Sequence, residues 1–268
     1  MASAGGSLGT FALPPIAHFV VSRLGGRGAY VVFGVAVLLA LNGLAVLMRR
    51  DPETMGLGPD GDARPRGATA SPEGWTAGRA MRTRAFWLLF AVFGATWIPV
   101  FIPLVHLVPM ARGLGISPLL AATLVSALGA AALVGRLLMG GASDRIGRRA
   151  ALAVALVLQA AAFVGFALAH ELPALYAASL VFGFSYGAGS TLFPAAVADF
   201  FGREQAASLA GLLFALAGSM AAWGPLAAGF IYDRAGDYQL AWWLSAGFNA
   251  LALILLTFAR PPASRSLA

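Results

Sequence analysis

The protein has 268 residues, of which 59% are hydrophobic and 11% are charged, and its formal net charge is +7. Soluble domains use about 45–50% apolar residues, so a soluble globule of this length could not bury so much apolar surface. Cys is absent, which excludes disulfides, thiolate catalysis and Cys-based metal sites. His18, His106 and His170 lie far apart without ligand spacing, so we predict no metal site and no cofactor.

Eight apolar stretches follow one another along the chain. Each is close to the ~20 residues that an α-helix needs to cross a bilayer core of roughly 30 Å. The predicted spans are 4–22, 29–48, 85–109, 118–141, 150–169, 173–200, 205–232 and 239–259. Pro14, Pro15 and His18 interrupt the first, which makes it the weakest. We predict an all-α fold, a polytopic membrane helical bundle of about eight transmembrane helices.

The eighteen basic residues are all Arg. Arg136 lies within a span, and the other seventeen are distributed unevenly between the two sets of loops. Four lie on one side: Arg23, Arg27, Arg112 and Arg234. Thirteen lie in the alternate loops and the tail: Arg49, Arg50, Arg64, Arg66, Arg79, Arg82, Arg84, Arg145, Arg148, Arg149, Arg203, Arg260 and Arg265. Basic residues mark the cytoplasmic side of membrane proteins. We therefore expect a plasma (inner) membrane protein with both termini in the cytoplasm, whose surroundings are the lipid bilayer and not nucleic acid.

The stretch "GRLLMGGASDRIGRRA" (135–150) places a charged turn between the fourth and fifth spans. Its pattern, Gly140, Asp144, Arg145, Gly147, Arg148 and Arg149, resembles the signature loop of the major facilitator superfamily. An ordinary cytoplasmic turn accounts for the Arg residues but not for Gly140 or Asp144. The resemblance implies a gate: Gly140 lets a neighbouring helix approach, Asp144 faces a helix N-terminus, and the Arg residues pair with carboxylates.

Three further stretches are similar to connections in transporters of the monocarboxylate and oxalate/formate group. They are "RRDPETMGLGPDGD" (49–62), "HLVPMARGLGIS" (106–117) and "GPLAAGFIYDRAGDYQLAWW" (224–243). If the charged turn is the second copy of the family's loop, the spans correspond to family helices five to twelve. We then expect an N-terminally truncated member. Residues 1–48 would be a remnant of the N-terminal half, 49–84 a cytoplasmic linker, 85–260 a six-helix C-terminal bundle and 261–268 a cytoplasmic tail.

Arg136, His106 and Asn249 are the candidate substrate-binding residues. Arg136 lies within a span, where a charge is costly and normally faces a cavity or a partner. In the monocarboxylate group an Arg at this place contacts the substrate carboxylate, and an Asp stands one turn earlier, where this chain has Ala132. The alternatives are a snorkelling role for Arg136, an anchoring role for His106, and an interhelical hydrogen bond for Asn249.

The resemblance implies a transporter and not an enzyme. The expected activity is secondary transport, symport or antiport, of a small organic solute by alternating access. A carboxylate is the candidate substrate and the proton the candidate coupling ion. One alternative is a non-transporting fragment or helical scaffold. Another is an intramembrane serine enzyme, because "GFSYG" (183–187) matches G-x-S-x-G, although that motif needs a strand–turn–helix setting.

Overall fold

The computed structural model describes residues 4–46 and 75–262, without the side chains of residues 4 and 203–205. These residues form helices and no strand. The helices are α1 (Ala4–Ala45), α2 (Ala77–Met81), α3 (Arg84–Val100), α4 (Ile102–Gly113), α5 (Pro118–Ile146), α6 (Arg148–Leu168), α7 (Leu172–Phe201), α8 (Arg203–Met220), α9 (Trp223–Ala235) and α10 (Gln239–Phe258). The chain divides into two compact units, Met1–Ile16 with Gly74–Ala268, and Ala17–Glu73.

Helix α1, of 42 residues, consists of two helices that meet at a kink at Gly25, where φ is 69° and ψ is 171°. The kink lies between the first two predicted spans, and a single non-helical residue stands where a short loop was expected. The eight predicted spans thus correspond to seven long apolar helical segments in the described residues, and the predicted all-α membrane bundle is confirmed.

Two of these segments are broken in the middle. Helix α3 passes into α4 at Phe101, which follows Pro99, and α8 passes into α9 at Ala221 and Ala222. Pro103 has no N–H to donate to the preceding turn, which weakens the helix at that point. The two breaks are neighbours, since a Cβ on Gly224 would overlap the carbonyl oxygen of Ile98.

Two apolar clusters show that successive segments run in alternate directions. The first joins the starts of α3, α6 and α8 to the ends of α5, α7 and α10; its members include Phe86, Met139, Leu152, Phe201, Leu209 and Leu256. The second joins the starts of α5, α7 and α10 to α4, α9 and the end of α6; its members include Leu107, Leu124, Phe166, Leu175, Ala228 and Trp242. The segments therefore form an up-and-down bundle with a core at each end.

Helices α5 and α7 touch backbone to backbone. A Cβ added to Gly183, Gly187 or Gly135 would overlap the carbonyl oxygens of Leu128, Ala132 and Phe184, respectively. Small residues allow this close approach between membrane helices. Contacts in both directions fix the register of the two helices.

Part of the predicted linker, 49–84, is ordered helix. Within it, residues 75–84 form α2 and the start of α3, and Ala80 is fully buried in the first cluster. Thr76 and Thr83 cap the two helices by accepting from the N–H groups of Arg79 and Phe86. The linker residues 49–74, including the stretch at 49–62, and the tail from 263 lie outside the described residues. The proposed domain limits therefore stay predictions.

Candidate functional site

The turn between α5 and α6 is a single residue, Gly147, with φ 87°. This conformation is open to Gly and strained for other residues. It brings the last turn of α5 beside the first of α6, so that Arg148 Nη2 donates to Asp144 Oδ1 at 2.6 Å and Nη1 donates to Ser143 Oγ at 3.0 Å. A third helix joins them, because Asp199 Oδ2 near the end of α7 lies 4.0 Å from Arg148 Nε.

The surroundings of this charged turn suit a contact that opens and closes. The side chains of Asp144 and Asp199 are 63% and 54% exposed and that of Arg148 is 31% exposed. Ion pairs so accessible to water are worth about 0–1 kcal/mol each. Water can replace them at little cost when α5, α6 and α7 separate.

The other residues of the motif make different contacts. Among the described residues Asp144 pairs with Arg148, and its expected place at a helix N-terminus stays a prediction. Gly140 makes no close approach, because a Cβ there would meet only Thr191 Cγ2, at an ordinary 3.8 Å. Arg149 donates to the carbonyl oxygen of Thr257 at the end of α10, and Arg145 is exposed. The turn is therefore tied to two other helices through Arg148 and Arg149.

A cavity of about 570 Å³ opens beside the charged turn. Arg148 and Arg149 form its charged side, and Leu89, Phe200 and Leu256 form part of its apolar wall. These residues come from α3, α6, α7 and α10. Residues of four helices thus line one cavity at this end of the bundle.

Arg136 lies on α5 two turns before Asp144, about 12 Å along the helix axis. Its Nε atom is buried without a hydrogen-bond partner, and no carboxylate of the described residues lies within ion-pair distance of its guanidinium. The guanidinium carbon is 6.0 Å from the centre of the Tyr186 ring on α7. Helix α1 is also close, since a Cβ on Gly6 would lie 3.7 Å from Arg136 Nη1. Three helices thus meet at one half-buried cation.

His106 links three elements at the opposite end of the bundle. Its Nε2 lies 2.9 Å from the carbonyl oxygen of Pro225 on α9, and its Nδ1 lies 3.2 Å from the Tyr238 hydroxyl at the start of α10. A carbonyl only accepts, so Nε2 donates to it and the neutral ring accepts from Tyr238 at Nδ1. Burial, followed by the charges of Tyr232 and Asp233, raises the pKa of Tyr238 above 10.0. Both nitrogens of His106 are thus used within the protein.

Asn249 has no exposed surface. Its Oδ1 accepts from the Thr96 hydroxyl at 2.9 Å, which joins α10 to α3, and its Nδ2 donates to the Ser245 carbonyl at 3.1 Å. The structure does not bring the three candidate substrate residues together, as no hydrogen bond between described residues joins Arg136, His106 or Asn249 to one another. Substrate contact by His106 and Asn249 stays a prediction.

Packed rings run from Arg136 to His106. Adjacent ring centres in this row are 5.0–6.3 Å apart. The row consists of Tyr186, Phe182, Phe166, Trp242, Tyr238 and His106. The two residues are connected by a rigid aromatic row and not by a shared polar site.

Comparison with known proteins decides the family. The model of the Major Facilitator Superfamily matches residues 97–268, well over half of the chain. The chain belongs to the Major Facilitator Superfamily. Its relatives include monocarboxylate transporter 12 of Rattus norvegicus, 28% identical over 97% of this chain and 58% of the relative. Another is monocarboxylate transporter 7 of Homo sapiens, 30% identical over 65% of this chain and 34% of the relative.

The chain spans about 58% of the length of the rat relative. The resemblance found in the sequence is therefore confirmed at the level of the superfamily, and the helices and family together make this an integral membrane protein. Membership in a transporter family also confirms that the chain is not an enzyme. In agreement, Ser185 of the G-x-S-x-G stretch lies in the middle of α7, fully buried, with its hydroxyl donating to the Phe182 carbonyl.

Two residues of the candidate site, Asp199 and Tyr186, were not identified from the sequence. Asp199 had a signal, because it is the single charged residue of the predicted span 173–200 and lies at the same end as the charged turn. Tyr186 had none, since one aromatic residue among eighteen Phe, six Trp and five Tyr is not distinctive. Its nearness to Arg136 depends on the α5–α7 register.

Proposed function

We propose that the protein acts in secondary transport of a small carboxylate, which Arg136 binds. The observation that carries the proposal is the buried, unpartnered Nε of Arg136 at the meeting of α1, α5 and α7. A cation at membrane depth calls for a partner. The guanidinium fork offers two parallel N–H donors, which match the two oxygens of a carboxylate.

The charged turn supports an alternating-access cycle. Superfamily transporters work by rocking parts of the bundle about a midplane site, and this needs contacts that break in each cycle. The exposed pairs of Arg148 with Asp144 and Asp199 have that property. We assign Gly140, Asp144, Arg145, Gly147, Arg148 and Arg149 to a cytoplasmic gate. The Arg distribution supports cytoplasmic termini in the plasma (inner) membrane, and protons are the coupling ion to test first.

The relatives support the choice of a carboxylate. Those described above are named monocarboxylate transporters, and an Arg is the residue with which a membrane protein would recognise such an anion. The competing account of Arg136 is snorkelling, in which the long side chain only reaches towards cytoplasmic phosphates. A snorkelling side chain needs length and charge but no fork.

Replacing Arg136 by Lys distinguishes the two accounts. Lys keeps the length and the charge but cannot form a bidentate contact. We expect Arg136→Lys to lose most pyruvate uptake into proteoliposomes and most of the thermal stabilisation that pyruvate gives the purified protein, while yield and folding stay normal. Arg112→Lys, at an exposed position outside the gate and the proposed binding site, is the matched control. Lactamide, which has no carboxylate, should give neither signal with the parental protein.

Two results would overturn the proposal. One is pyruvate uptake at the parental rate by Arg136→Lys, which would leave snorkelling as the role of the residue. The other is the absence of both uptake and pyruvate-dependent stabilisation in the parental protein. That result would favour a non-transporting scaffold.

A further inference from the structure

We propose that Tyr186 is the positioning residue of Arg136: its ring face holds the guanidinium when no anion is bound. This inference rests on the proposed carboxylate-binding role of Arg136. It adds a second residue to that site, and it explains how a half-buried Arg is kept in place without a carboxylate of the described residues beside it.

The first observation is the geometry of the pair. The guanidinium carbon of Arg136 lies 6.0 Å from the ring centre of Tyr186, at the limit of the ~6 Å within which a cation is attracted by the face of an aromatic ring. The ring is itself held, because it stacks on Phe182 with an interplanar angle of 5° and a centre distance of 6.2 Å. Phe182 is fully buried. Tyr186 is thus a fixed surface against which the flexible Arg side chain can rest.

The second observation is the register of the two helices. The backbone contacts of Gly135 with Phe184 and of Gly187 with Ala132 lie within four residues of the pair. They flank Tyr186 on α7, and both precede Arg136 on α5. Neither helix can slide without separating these contacts. Arg136 and Tyr186 are therefore placed opposite each other by the backbone, independently of any attraction between them.

The third observation is what stands one turn before Arg136. Ala132 is 1% exposed, and its carbonyl oxygen lies where a Cβ on Gly187 would be. The position holds a methyl group packed in the α5–α7 contact. A carboxylate there would neutralise Arg136. A ring face attracts the guanidinium but leaves its net charge, so the empty site stays cationic and selects anions.

Removing the ring should weaken the binding of pyruvate more than it slows the transport cycle. With Tyr186→Leu, which keeps an apolar side chain but loses the ring face, we expect the KM for pyruvate uptake to rise by about tenfold with kcat within about twofold. Tyr186→Phe keeps the ring and loses the hydroxyl, and should stay within about twofold of the parental KM. A loss in Tyr186→Phe as large as that in Tyr186→Leu would overturn the proposal, because the hydroxyl and not the ring would then be responsible. An unchanged KM in Tyr186→Leu would overturn it as well.

A double-mutant cycle on thermal unfolding tests the pair without any substrate. The four proteins are the parental chain, Tyr186→Leu, Arg136→Gln and the double variant. If the ring holds the guanidinium, Tyr186→Leu lowers Tm more when Arg136 is present than when residue 136 is Gln. Tyr176→Leu is the control, since Tyr176 is also half-buried on α7 but contacts Thr123 instead of a cation. It should lower Tm by the same amount whether residue 136 is Arg or Gln.

Equal decrements for Tyr186→Leu in the two backgrounds would show that the ring only fills space, which contradicts the inference. This result is distinguishable from failure of the proposed function. If the parental protein neither binds nor transports pyruvate but the cycle shows coupling, carboxylate transport is wrong and the Arg136–Tyr186 contact stands. If pyruvate is transported and the cycle shows no coupling, carboxylate transport stands and the proposed role of Tyr186 is wrong.

Discussion

The two ends of the bundle are held together by different chemistry. The charged end consists of Ser143, Asp144, Arg148 and Asp199, with Arg149 on the Thr257 carbonyl. The aromatic end consists of His106, Tyr232, Tyr238 and Trp242 with the Pro225 carbonyl. At the charged end the groups are exposed, and water can replace each broken pair. At the aromatic end Tyr238 is 6% exposed, so a broken hydrogen bond leaves a polar group without a partner. The charged end is therefore the one that opens more easily.

The largest effect is expected from breaking the aromatic end. His106→Leu leaves the Tyr238 hydroxyl and the Pro225 carbonyl without their partner, which should lower the free energy of unfolding by about 1–3 kcal/mol. Thermal unfolding of the protein in nanodiscs measures the change. His170→Leu is the control, because His170 is an exposed His at the same end. Equal losses in the two variants would mean that the hydrogen bonds of His106 contribute nothing.

A smaller effect is expected at the charged end. Arg148→Gln removes the ion pairs with Asp144 and Asp199 and should lower the free energy of unfolding by about 0–1 kcal/mol. The difference from the parental protein should vanish in 1 M salt, where the screening length is about 3 Å. Arg145→Gln, at an exposed neighbour in the same turn, controls for loss of charge alone. If Arg148→Gln costs more than His106→Leu, or if salt leaves its effect unchanged, the two ends do not differ as described.

The smallest effect is expected in alkali. The pKa of Tyr238 is raised above 10.0, first by burial and then by Tyr232 and Asp233. Above pH 10 the unfolded chain therefore loses this proton before the folded protein does, and stability is lost as the pH rises from the unfolded to the folded pKa. Tyr238→Phe should remove this contribution and flatten the decline of Tm with pH. Parallel declines in the two proteins between pH 9 and 12 would assign the alkaline sensitivity to other groups.

Much of this architecture was readable from the sequence because the bilayer restricts what can cross it. Apolar runs of the right length identified the spans. Ser117 before Pro118 is a typical helix-start pattern, and its hydroxyl accepts from the Leu120 N–H at 3.4 Å at the start of α5. The break expected between the first two spans is a kink at one residue, Gly25, instead of a loop. A Gly can change the chain direction within a helical run at one residue, and composition cannot show whether it does so.

The site was less predictable than the fold. Spacing alone located the charged turn, because its residues are neighbours in sequence. The assignments that depend on contacts between distant segments could not be made in that way. His106 contacts residues 119 and 132 positions away, and Tyr186 faces Arg136 because several glycines set the α5–α7 register. Such contacts are decided by packing.

The central claim is that a carboxylate bound at Arg136 changes which end of the bundle is open. The most direct test places one Cys at each end. The chain has no Cys, so Ala153→Cys reports on the charged-end cavity and Met110→Cys on a cavity of about 210 Å³ at the aromatic end. Maleimide labelling rates in nanodiscs are compared with and without pyruvate. We predict that pyruvate changes the two rates in opposite directions and that Arg136→Lys abolishes both changes. Rates that respond in the same direction, or that still respond to pyruvate in Arg136→Lys, would contradict the account.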